Sequence, residues 1–94
     1  MAKETKVISL VVCFLGHNHR IAIDPQKCTV NKATKSFTYK ARYTADDGKY
    51  YMVKAVSVNG SEGTRANVTI TNYSGKQIIA ERSNVGVRFS RYLF

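Results

Sequence analysis

The chain has 94 residues, 44% of them hydrophobic, with one proline and no tryptophan. That length holds one modest core, which excludes an elaborate multi-site enzyme, and the composition is that of a folding chain with no low-complexity run. Fifteen Lys and Arg stand against six Asp and Glu, a formal net charge of +9, which points to polyanions, nucleic acid or an anionic membrane surface, as the partner class.

In chain order, the start carries Glu4 before the apolar run "VISLVVCFLG" at residues 7–16, and "HNHR" follows it. A basic start before an apolar run resembles a weak secretory signal, but "HNHR" offers no small-residue cleavage pattern and the run is rich in β-branched residues. The expectation is therefore a buried central strand over residues 5–15 in an uncleaved, cytoplasmic chain. The run is too short to cross a bilayer, so no integral membrane association is expected. Further strands are predicted over residues 20–23, 36–44, 49–58, 64–72, 76–82 and 85–93. The breaks between them carry turn chemistry: "GHNH", "DP", "DDG", "NGSEG", "YSGK" and "SNVG". Residues 24–33 are the one place for a short helical turn, with Asp24 as cap and Pro25 at the first helical position, although Thr29 and Val30 weaken it. The fold class is all-β: one domain over residues 1–94, a small antiparallel sheet, barrel or sandwich of about six to seven strands.

Alternation then separates two faces. In "SFTYKARYT", residues 36–44, Phe37, Tyr39, Ala41 and Tyr43 alternate with Thr38, Lys40, Arg42 and Thr44. Ala66, Val68 and Ile70 likewise oppose Arg65, Asn67, Thr69 and Thr71, and Val85, Val87, Phe89 and Leu93 oppose Arg88, Ser90 and Tyr92, with Arg91 interrupting the apolar set. Lys54 interrupts the apolar positions Met52, Val56 and Val58. Asp24, Asp46, Asp47 and Glu62 all fall in turns, leaving the strands almost purely cationic in their charged positions.

This pattern predicts a phosphate-gripping sheet face. Lys and Arg release counterions on binding, Arg grips phosphate through paired hydrogen bonds, and Thr, Ser and Asn add positioning contacts. The expected binding residues are Lys40, Arg42, Lys54, Arg65, Arg88 and Arg91, with Tyr92 as a stacking residue and Tyr50, Tyr51 and Tyr73 as further tyrosines at the rim. RNA or another single-stranded nucleic acid is favoured over duplex DNA, because no helix-turn-helix, zinc finger or basic helix is present to enter a major groove.

Cys13, His17, His19 and Cys28 supply zinc-type ligands, but their spacing matches no common zinc pattern, and Cys13 reads as a small buried residue within a strand. No metal, cofactor or disulfide is expected. His17 and His19 read as a loop tip with their rings pointing in opposing directions. A metal-independent ribonuclease, with the histidines as acid and base, is the enzyme alternative, and the expectation is that the chain is not an enzyme. The other alternative is a cationic face that docks on an acidic protein or a nucleoprotein complex. In type, though not in residues, a small basic β protein without motifs is similar to the accessory proteins that bacteriophages use against host defence, such as anti-CRISPR proteins or toxin inhibitors. The apolar end "SRYLF" leads to the expectation of a homodimer.

Overall fold

A computed structural model describes residues 8–94, apart from the side chain of Arg91. The described residues form seven strands: β1 (Ser9–Phe14), β2 (His17–Ala22), β3 (Cys28–Asn31), β4 (Ser36–Thr44), β5 (Tyr50–Ser57), β6 (Arg65–Asn72) and β7 (Ile78–Arg88). They make one sheet in the order β2-β1-β7-β6-β5-β4-β3, with every neighbouring pair antiparallel. The sheet curls into a half-barrel. β3 to β7 run as a meander, and the β1–β2 hairpin returns to dock on β7 through Ser9 and Leu10. Among the described residues no helix is long and apolar enough to cross a membrane.

The inner face is the core because period-two alternation puts one parity of each strand there. Leu10, Val12 and Phe14 from β1 meet Phe37, Tyr39 and Ala41 from β4, Val53 and Ala55 from β5, and Ala66, Val68 and Ile70 from β6, all buried. Tyr43, expected inward, is half-buried and packs at the margin of this cluster. β2 ends the strand order on one side and β4 is next to last on the other, yet the curl brings them face to face. The Tyr39 hydroxyl donates to the Ala22 carbonyl at 3.3 Å, and the Tyr43 hydroxyl lies 3.3 Å from His19 Nδ1. Side chains therefore bridge the seam where a closed barrel would have a backbone ladder.

Local chemistry explains the turns. Leu15 and Gly16 both have positive φ, 54° and 77°, the two-residue connection whose twist matches a hairpin. The turn is thus "LG", and His17 is already paired with Phe14 in the strand instead of standing in a loop. Asp24 accepts a hydrogen bond from the Gln26 N–H and caps a short 3-10 turn at Pro25–Lys27, as its sequence predicts.

Four further expectations need correction. The chain after Pro25–Lys27 is strand, β3, held by its pairing with Ser36–Tyr39 of β4. The predicted break at "SNVG" does not occur: β7 runs through it, with register shifts against β6 and Asn84 at φ 59°. Asn67 Oδ1 accepts from the Asn84 N–H, and the Arg65 guanidinium donates to the Asn84 carbonyl, so the irregularity has its backbone groups satisfied in place. The chain ends in a second 3-10 turn, Ser90–Leu93, where a strand was expected. In β5 the core parity is Tyr51, Val53 and Ala55, so Met52 and Val56 lie on the outer face together with Lys54. Lys54 interrupts nothing.

Candidate functional site

The outer face is set by register. Lys40 of β4 stands directly opposite Lys54 of β5, Lys54 opposite Thr69 of β6, and Thr69 opposite Glu81 of β7. The adjoining row is Arg42, Met52, Thr71 and Ile78. Directly opposed residues place their Cβ atoms about 5 Å apart, and like charges in that position destabilise a sheet. Lys40 and Arg42, two residues apart on one strand, add a cationic spacing of about 7 Å. Among the described residues the ion pair is Lys35 with Glu62, at 3.6 Å in the turns, and neither Lys40, Arg42 nor Lys54 has a carboxylate partner. Glu81 ends the first row two strands away from Lys54, or about 10 Å between backbones.

Lys40 and Lys54 line a shallow groove of about 320 Å³ with Met52, Thr69, Thr71 and Tyr73. Tyr73 follows Thr71 at strand parity and stands on the turn between β6 and β7. Asn72 holds that turn: its Oδ1 accepts from the Lys76 and Gln77 N–H groups and from the Ser74 hydroxyl. Beside the groove, the Tyr50 ring lies 5.9 Å from the Tyr73 ring at an angle of 52°, and the Arg42 guanidinium lies over Tyr50 at 4.8 Å. Both tyrosines are exposed.

The residues expected to share one site do not all meet. Lys40, Arg42 and Lys54 converge. Arg65 is on the same face but four residues from Thr69 along β6, about 13 Å, and its guanidinium is bound to the Asn84 carbonyl at 3.0 Å. Arg88 ends β7 opposite Ser9 of β1, with its guanidinium 5.5 Å from the Phe89 ring. Tyr92 sits in the final 3-10 turn, 6.1 Å from Phe89. The side chain of Arg91 lies outside the described residues. Tyr51, expected at the rim, is core, with its hydroxyl bonded to Asp47. Tyr50 and Tyr73 join the convergent set instead, and parity carries the signal: an outward Lys54 makes Tyr50 outward, and an outward Thr71 does the same for Tyr73.

A second depression of about 560 Å³ is lined by Leu15, His17, Asn18, His19, Asp46 and Asp47. His17 and His19, two residues apart in β2, share one face, which corrects the expectation of opposing directions. His19 is buried, its ring stacked on Phe14 at 3.9 Å. The Phe14 carbonyl, 3.1 Å away, can only accept, so Nε2 carries a proton and donates there, while Nδ1 faces the Tyr43 hydroxyl. Asp47 accepts from the Lys49 N–H and from the Tyr51 hydroxyl. Burial pushes the Tyr43 hydroxyl above its ordinary pKa, with the charge of Asp46 adding. Burial does the same to Tyr51, followed by Asp47.

Among the described residues no three His, Cys, Asp or Glu side chains gather as a metal site. Cys13, expected buried, is exposed on the outer face opposite Asn18, and Cys28 is half-buried on β3; both thiols are free. Burial raises the Cys28 pKa, with Asp24 adding. No protein-family model, curated protein or solved structure matches the chain.

Proposed function

We propose that this chain is a nucleic-acid-binding protein that grips RNA or another single-stranded nucleic acid on the outer face of β4, β5 and β6. The observation that carries the reading is the Lys40–Lys54 pair: two ammonium groups opposed across strands, with no carboxylate partner among the described residues, in a groove walled by an exposed tyrosine. A sheet gains nothing from that repulsion. A phosphate between the two lysines reverses its sign and releases counterions.

Arg42 complements the pair. With one face of its guanidinium against the Tyr50 ring at 4.8 Å, Arg42 can turn its N–H edge to a phosphate oxygen. Thr38, Asn67, Thr69 and Thr71 supply hydroxyl and amide contacts on the same face, which position a backbone without reading sequence. Among the described residues the short 3-10 turns provide no recognition helix for a major groove, whereas exposed tyrosines beside cations suit unpaired bases.

The test is fluorescence anisotropy with mixed-sequence single-stranded RNA, single-stranded DNA and duplex DNA over a salt series. Micromolar or tighter binding of the single strands is expected, weakening steeply with salt. Absence of binding at low salt overturns the reading and leaves the charge to an acidic protein partner or to solubility alone, which affinity capture distinguishes.

A further inference from the structure

We infer that Tyr73 is the base-stacking residue of this face, and that the groove takes one nucleotide unit of a single strand, its phosphate on Lys40 and Lys54 and its base on the Tyr73 ring. The inference rests on the nucleic-acid reading and specifies how the ligand sits.

The two exposed tyrosines have different surroundings. A base held between two parallel rings needs them about 7 Å apart, twice the contact distance of stacked carbons. Tyr50 and Tyr73 are 5.9 Å apart and inclined by 52°, so they do not form such a slot. Tyr50 has the Arg42 guanidinium over its ring and Tyr73 at its side. Tyr73 has Tyr50 as its one ring neighbour among the described residues and is 59% exposed, more than any other large apolar side chain described. It also lines the groove that Lys40 and Lys54 line. Tyr50, with Arg42 over its ring, acts as a positioning residue beside Tyr73.

The platform is held before any ligand arrives. Asn72 Oδ1 accepts three hydrogen bonds from the turn that carries Tyr73, and Gly75 takes the φ of 78° that closes the turn at little steric cost. Less freedom is then lost on binding. The groove volume, about 320 Å³, is at the small end for ligand sites, which fits one nucleotide unit and not the width of a duplex.

The experiment compares a labelled ten-residue oligouridine with inorganic polyphosphate, which has the charge but no base. It uses the unmodified chain, Tyr73→Leu, Tyr73→Phe and the double variant Lys40→Gln/Lys54→Gln. Tyr73→Leu is expected to weaken oligouridine binding about tenfold, the scale of one lost stack, while leaving its salt slope and the polyphosphate affinity unchanged. Tyr73→Phe retains the stack and is expected to bind like the unmodified chain. The lysine variant is expected to weaken both probes. If Tyr73→Leu binds oligouridine as tightly as the unmodified chain while the lysine variant does not, stacking is overturned and the phosphate reading stands. If the unmodified chain binds neither probe at low salt, both fall. Circular dichroism of each variant establishes that the surface substitutions leave the fold intact.

Discussion

Two depressions of this molecule, the hollow at the β1–β2 hairpin and the groove on β4–β6, make opposite use of their polar groups. The hollow at the β1–β2 hairpin has two histidines and two aspartates, the residue types of acid–base chemistry, yet His19 and Asp47 are engaged by the fold itself. His19 of β2 bonds the end of β1 through the Phe14 carbonyl and closes the seam to β4 through Tyr43, leaving neither ring nitrogen open to a phosphodiester. Among the described residues the groove on β4–β6 has no histidine or carboxylate lining it, and its two lysines, without a carboxylate partner there, stand among Met52, Thr69, Thr71 and the exposed Tyr73 ring. Residue type alone would rank the hollow first. Whether a group's bonding capacity is already filled reverses that ranking.

Substitutions at the two places should separate stability from binding. The largest effect is expected from Phe14→Ala, which removes a fully buried ring from the core and the stacking surface of His19. Urea unfolding should show a loss of about 3–5 kcal/mol, and the protein that stays folded should bind oligouridine as before. A change in affinity for the folded fraction would mean that the hollow and the groove are coupled.

Next, Lys40→Gln/Lys54→Gln should reverse that pattern. Affinity for single-stranded RNA is expected to fall on the order of thirtyfold, about 2 kcal/mol. The plot of log affinity against log salt should become shallower by about 1.4, at roughly 0.7 for each lost phosphate contact. Its unfolding midpoint should stay the same or rise slightly, because a repelling cross-strand pair has gone.

A smaller effect tests the rule of filled bonding capacity outside both depressions. The Ser9 hydroxyl is buried without a hydrogen-bond partner among the described residues where β1 meets β7. Ser9→Ala should therefore stabilise the protein by about 1 kcal/mol in the same unfolding assay, against the usual direction of core substitutions.

The smallest is a pH effect. The hydroxyls of Tyr39, Tyr43 and Tyr51 are all raised above their ordinary value of 10.0, in each case by burial first. A tyrosine raised in the folded state favours folding fully below the unfolded pKa, and that contribution is lost as pH climbs through the folded one, because the unfolded chain releases its proton first. The melting temperature should accordingly fall as pH rises beyond about 10. Asp47→Asn removes only a secondary cause of the Tyr51 shift, so it should lessen the alkaline loss slightly.

The antiparallel all-β class was legible because its signals are local. Alternation in residues 36–44 and 65–72 states its own period, and Asp24-Pro25 writes its own cap and turn. Parity in those two strands also marked Lys40, Arg42, Arg65 and Thr69 as outward. β3 was not legible, since four residues become strand only through pairing with β4. The continuity of β7 was hidden as well, because "SNVG" reads as a turn until the side chains of Asn67 and Arg65 take up the backbone groups of Asn84.

β5 draws the boundary most clearly. Both of its parities are apolar, Tyr51, Val53 and Ala55 on one side and Tyr50, Met52 and Val56 on the other, so hydrophobic alternation does not select the buried face and Lys54 alone marks the outer one. The sequence by itself determined a small, strongly cationic antiparallel β chain with one charged strand face. Only the tertiary structure decided that Lys54 opposes Lys40, that Tyr50 and Tyr73 join them, and that Arg65, Arg88 and Tyr92 stand elsewhere. The reason is physical: a strand's period is carried by its own residues, whereas register and convergence depend on pairings between segments far apart in the chain.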